Sequence, residues 1–193
     1  MPIKITHPTH SELVGTGYVL ITTRSPAAAE GHEAQVVEDA ALTSRAYAVI
    51  AKTGIPGQDS ANNELVRRVN SIIDENEIKC VLQLQSKPEP GLEVQTSQDK
   101  TCTEETSNIV RTYLAKNFLV TTSPPDSSTS KQTIDLARKT PDGTFTVQSI
   151  RINVGNGELE LRRDKLVDQL AELVGMLNVR LGFDPSRRVV VED

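Results

Sequence analysis

Three short apolar runs constrain this chain most: Val19, Leu20 and Ile21 within "GYVLITTRS" (17–25), "AYAVIA" at 46–51, and "CVLQLQ" at 80–85. Continuous apolar runs of this length read as strands covered on both faces. Between them lie stretches with helical period. "HEAQVVEDAALTS" places Val36, Val37, Ala40 and Ala41 on one face. After the turn chemistry of "GIPGQDS", Ser60 is positioned to cap a helix carrying Leu65, Val66, Val69, Ile72 and Ile73. Strands alternating with helices at this spacing predict an α/β fold, a three-layer α/β/α sandwich with a mixed, mainly parallel sheet.

The second half continues the pattern. "LEVQT" (92–96) and "FLVTT" (118–122) read as strands on either side of a helix capped by Thr103, whose buried face holds Ile109, Val110, Tyr113 and Leu114. "FTVQSIRINV" (145–154) alternates with a change of phase at Ser149. A last helix carries a broad stripe of Leu166, Leu170, Leu173 and Leu177, flanked by Val167 and Val174. The 193 residues suit one domain. The expected organisation is an extended leader over 1–16, a single α/β domain over 17–183 and a C-terminal tail over 184–193. With 3% aromatic residues and no Trp, the core must rest on Val, Leu, Ile and Ala.

Charge and cysteine content exclude several classes. A net charge of −5 argues against nucleic acid as a partner. No run approaches the roughly 18 apolar residues of a membrane span, and the N-terminus lacks the apolar stretch of a signal peptide. Cys80 and Cys102 form neither a CxxC pair nor a disulfide framework, so a reduced, cytoplasmic compartment is expected.

In open α/β sheets, ligands bind beyond the carboxyl ends of the strands. Here those ends carry Arg24 after the first run, Gln83, Gln85 and Lys87 after the third, and Arg151 and Asn153 in the late strand. The set holds no histidine, cysteine or carboxylate. Amides are poor zinc ligands and do not shuttle protons near neutral pH. Such a rim suits hydrogen bonding and anion binding, with no catalytic residue, metal or cofactor. Elsewhere, "HPTH" sets His7 and His10 at a chelating spacing, and His32 precedes Glu33. A metal held by these four would require the leader to fold across the first helix. Cys80 and Cys102 have no histidine at a useful spacing, which leaves them structural thiols.

Several segments resemble the N-formylglutamate amidohydrolase family, a branch of the zinc-carboxypeptidase-like hydrolases. The best local matches are "AYAVIA", "NELVRRVNSIIDENEIKCVLQLQ" (63–85) and "KTCTEET" (100–106), and the order of elements agrees over roughly residues 17–182. The resemblance implies a metal-dependent amide hydrolase on an α/β/α sandwich. Where that family carries a Pro-His-Ala-Gly-like turn, this chain has Ser25, Pro26 and Ala27. Where it carries Asp-Leu-His-Gly, there are Gln83, Leu84, Gln85 and Ser86. Where a Gln-Ile-Glu-Ile-like strand supplies the acid/base, Arg151, Ile152, Asn153 and Val154 stand. Leu136 and Ala137 occupy the place of a substrate-reading arginine turn, and Glu33 alone matches an acidic ligand. These departures imply an inactive homologue acting as a binding or protein-interaction subunit. Its expected partners are a protein or peptide, a second copy or an active paralogue, with a small carboxylate as ligand. The alternative is an amide or peptide hydrolase with an atypical metal site built from His7, His10, His32 and Glu33.

Overall fold

The structure, a computed structural model, describes residues 2–23, 32–52, 58–96, 100–123 and 136–184, with backbone alone for 58–63. Its strands are β1 (Ile3–Thr6), β2 (His10–Val14), β3 (Val19–Thr23), β4 (Tyr47–Ala51), β5 (Cys80–Lys87), β6 (Leu92–Gln95), β7 (Val120–Ser123), β8 (Arg138–Lys139) and β9 (Phe145–Gly155). The helices are α1 (His32–Ser44), α2 (Gln58–Glu75), α3 (Glu104–Leu114), α4 (Asn156–Leu161) and α5 (Arg163–Arg180). One mixed sheet runs in the order β1-β2-β4-β3-β5-β9-β6-β7, with β8 added to β9. Its centre, β4-β3-β5-β9, is parallel, and the three apolar runs of the sequence supply three of those four strands. Antiparallel pairing begins at β2 on one flank and at β6 on the other.

The two faces of the central strands feed two cores. Val19, Ile21, Leu82, Leu84, Ile150 and Ile152 pack beneath α1, α3, α4 and α5. Leu20, Val49, Val81 and Val147 pack beneath Leu65, Val69, Ile72 and Ile73 of α2. Each fully buried aliphatic side chain contributes about 1.5–3 kcal/mol, and with so few aromatics the fold depends on their number. This is the α/β architecture expected. Among the described residues no helix is long and apolar enough to cross a membrane.

The expected leader proves to be part of the sheet. Residues 3–14 form a hairpin whose second strand pairs with β4, Ser11 opposite Ile50 and Leu13 opposite Ala48. Leu13 is its one buried aliphatic residue; its other buried residues are the polar His10, Ser11 and Glu12. An edge hairpin this polar lacks the apolar pattern by which a strand is recognised. Ser60 is not a cap, because α2 starts two residues earlier, at Gln58. Thr103 does cap α3, its hydroxyl accepting from the Thr106 amide at 3.2 Å. The tail from residue 185 onward lies outside the described residues.

The change of phase in β9 has a simple cause. Val147 belongs to the α2-side core, but the next residues on that face, Ser149, Arg151 and Asn153, are polar, while Ile150, Ile152 and Val154 fill the opposite core. Gln148 is diverted to α3, accepting from the backbone N–H of Thr103 at 2.8 Å.

Candidate functional site

At the carboxyl ends of the central strands, register brings four of the sequence-selected residues together. Gln83 lies opposite Arg151 and Gln85 opposite Asn153 in the parallel β5–β9 pair. Strand alternation turns all four to the α2 side of the sheet. Antiparallel β6 then completes the group from the other side of β9, with Gln95 opposite Arg151 and Glu93 opposite Asn153. Arg151 Nη1 donates to Gln95 Oε1 at 3.2 Å, and Asn153 Nδ2 donates to Glu93 Oε2 at 2.8 Å. The second Glu93 oxygen accepts from the Ser123 hydroxyl at 2.6 Å. That hydrogen bond, helped by Asn153 and the charge of Lys87, holds the Glu93 carboxyl below its ordinary value against the opposing effect of burial. Asn153 Oδ1 is buried and has no hydrogen-bond partner among the described residues. Arg24, with Ser25, Pro26 and Ala27, lies outside the described residues.

This donor set does not fit the zinc that the resemblance implies. Glu93 is its one group able to bind zinc, since the rest are amides, a hydroxyl and the buried guanidinium of Arg151, and one carboxylate does not hold a zinc ion. Glu93, Gln95 and Ser123 were not selected from the sequence. "LEVQT" does place Glu93 and Gln95 on one strand face, but that β6 would lie against β9 is a matter of topology.

Glu33 and His32 open α1, on the other side of the sheet. Glu33 is 1% exposed and its Oε2 accepts from the Ser86 amide at 2.9 Å, while His32 is exposed. With Asn156, Leu159 and Glu160 they border a pocket of only about 10 Å³, room for a single water. Leu136, which the resemblance sets at the place of a substrate-reading arginine, is buried beneath α2 as a core residue.

His7 and His10 are gathered with a different partner. The hairpin turn stacks their rings 4.4 Å apart and 17° from parallel. Their Nε2 atoms lie 3.2 Å (His7) and 2.8 Å (His10) from Glu12 Oε1. Arg68 from α2 donates to both oxygens of the same carboxylate, Nε to Oε1 at 2.6 Å and Nη2 to Oε2 at 3.0 Å. Burial of Glu12 disfavours its charged form, yet the hydrogen bonds from Arg68 and His10 and the charges of Arg68 and His7 outweigh it and hold the carboxyl below its ordinary value. Lys52 bonds the His7 carbonyl oxygen and anchors the turn to the end of β4. The pair His7 and His10 is thus met, but with Glu12 and not with His32 and Glu33. The signal for Glu12 was its i, i+2 relation to His10, legible only once the segment is known to be a strand.

No family model and no curated relative matches the sequence. Solved structures do. N-formylglutamate amidohydrolase from Ralstonia eutropha JMP134 superposes with a TM-score of 0.60 at 11% identity, over 90% of this chain and 98% of that one. A bacteriophage poly-gamma-glutamate hydrolase gives 0.57 at 7% identity, over 92% of each. A metallo-carboxypeptidase from Burkholderia cenocepacia gives 0.55 at 11% identity, over 89% of this chain and 61% of that one. At these identities the likeness is one of fold, and the chain has the α/β architecture of the N-formylglutamate amidohydrolase and carboxypeptidase-like structures.

Proposed function

We propose that this protein is a catalytically inactive relative of the amidohydrolases, serving as a binding or protein-interaction subunit. The observation that carries this is the pairing at the strand ends. Asn153, which the resemblance sets at the place of the acid/base glutamate, is tied to Glu93, and Arg151 beside it is tied to Gln95. A carboxylate held below its ordinary value by two donors is a weak base, and the neighbouring amides offer no replacement. The ligand class is a small carboxylate or peptide end. Lys87, half-buried at the rim, supplies a charged donor for the carboxylate. Two of the similar structures are named for glutamyl substrates, which makes N-formylglutamate and a short γ-glutamyl peptide the first probes.

The full chain is incubated with each probe, with and without added zinc, and product is followed by mass spectrometry alongside calorimetric titration. The expected outcome is no hydrolysis above buffer, with any binding weakened in Lys87→Ala. Zinc-dependent turnover overturns the proposal. If neither probe binds, the subunit version remains and makes its own demand: sedimentation must show concentration-dependent self-association, or a complex with an active paralogue.

A further inference from the structure

We propose that His7, His10 and Glu12 form a site for a transition-metal ion of the zinc class, separate from the strand ends. One ligand atom from each residue lies within 4.8 Å of the other two. Tetrahedral zinc, with bonds of about 2.0–2.1 Å, holds its ligands about 3.3 Å apart. The His7–Glu12 separation of 3.2 Å already meets this, and the His10–Glu12 separation of 2.8 Å needs to open by a few tenths of an ångström. His7 Nε2 is buried and makes no hydrogen bond among the described residues, because its approach to Glu12 Oε1 is not aligned for one. A buried imidazole nitrogen facing a carboxylate oxygen and a second imidazole is an arrangement that a cation completes.

The surroundings suit the same occupant. The Thr9 hydroxyl, 2.9 Å from His10 Nδ1, can accept its proton and leave the Nε2 lone pair turned to the metal. Arg68 fixes the orientation of the Glu12 carboxylate by donating to both of its oxygens. Its charge also opposes the cation, so the affinity expected is micromolar, well short of a closed structural zinc site. His7 and His10 border an open pocket of about 390 Å³ that Glu64, Arg67, Arg68 and Ser71 also line, through which an ion could enter. A bound ion would tie the hairpin turn together, since two ligands come from β2 and one from the loop before it.

The test is calorimetric titration of zinc chloride into the full chain after treatment with chelator, with cobalt(II) as a spectroscopic reporter. One equivalent is expected, with the visible spectrum of a four-coordinate cobalt site and a rise in melting temperature. His7→Ala and Glu12→Gln should each weaken binding at least tenfold. Should Glu12→Gln fail to fold, His7→Gln at the half-exposed position carries the test. No uptake by the wild-type chain overturns the proposal, and so does equal uptake by the variants, the mark of an adventitious ion. Zinc bound without hydrolysis leaves the inactive reading standing, so the two proposals fail separately.

Discussion

Arg68 spans both oxygens of Glu12, joining helix α2 to the N-terminal hairpin across 56 residues of chain. The carboxylate is 1% exposed and the arginine about one-third exposed. Removing the guanidinium leaves a buried charge with imidazoles alone, so Arg68→Ala should cost about 2 kcal/mol, more than a surface ion pair. The sign of the pH dependence follows from the lowered carboxyl. The stability it contributes is complete above the ordinary value of 4.5 and is lost as pH falls through the lower folded value. Urea unfolding of the wild type and Glu12→Gln should therefore differ most near neutrality and converge in acid. A constant difference at all pH values would mean that Glu12 acts through packing and not through charge.

The second prediction concerns the strand-end network and has the opposite sign. Asn153→Asp sets a second carboxylate 2.8 Å from Glu93 Oε2, replacing a donor with a like charge. Both carboxyl groups are then pushed above their ordinary range in the folded state. The variant should lose about 1–3 kcal/mol at neutral pH and recover stability as pH falls and one proton is shared. Melting temperatures at about pH 7.5 and pH 4.5 should converge on those of the wild type only at the lower value. An unchanged melting temperature at neutral pH would show the two side chains to be farther apart than 2.8 Å.

The sequence carried the parallel centre of the sheet and all the long helices, because there burial is written as unbroken apolar runs or as a 3.6-residue stripe. Strand order sets Gln83, Gln85, Arg151 and Asn153 at the strand ends, and the β5–β9 register pairs Gln83 with Arg151 and Gln85 with Asn153. It does not do the same for their partners Glu93, Gln95 and Ser123, since antiparallel placement of β6 beside β9 depends on the whole topology. The hairpin over residues 3–14 reads as a leader in the sequence because its buried positions hold His10 and Glu12, which pair with each other and with Arg68 and have no apolar character. Polar residues that bury one another leave no hydrophobic period to read.

Both cysteines should be inert in the native protein. Burial, with a smaller contribution from Cys102, pushes the Cys80 thiol up to about 12, and burial pushes Cys102 to about 11 despite a hydrogen bond from Thr101. Near pH 8 neither is appreciably ionised, and the thiolate is the reactive form. Iodoacetamide should label neither residue within hours under native conditions and both in denaturant. Rapid native labelling of Cys102 would place it at the surface and undo its assignment to the core.

The joint between β2 and β3 gives the last prediction. Gly15 follows the end of β2, and a Cβ placed on it would lie 2.2 Å from the carbonyl carbon of Ala46 and 2.4 Å from the carbonyl oxygen of Arg45. Both obstacles are backbone, and the same stretch is pinned by the Thr16 amide donating to the Arg45 carbonyl at 2.7 Å. No rotamer change relieves the clash; the α1–β4 turn would have to shift against Ala46 and Ala48, which are fully buried. Gly15→Ala should therefore destabilise the fold by about 2–3 kcal/mol, at the upper end of overpacking costs. Alanine at Gly175, which meets nothing within 4 Å in α5, should instead be neutral or mildly stabilising because it favours the helix. Chemical denaturation of the two variants side by side separates the steric effect from the general effect of replacing glycine.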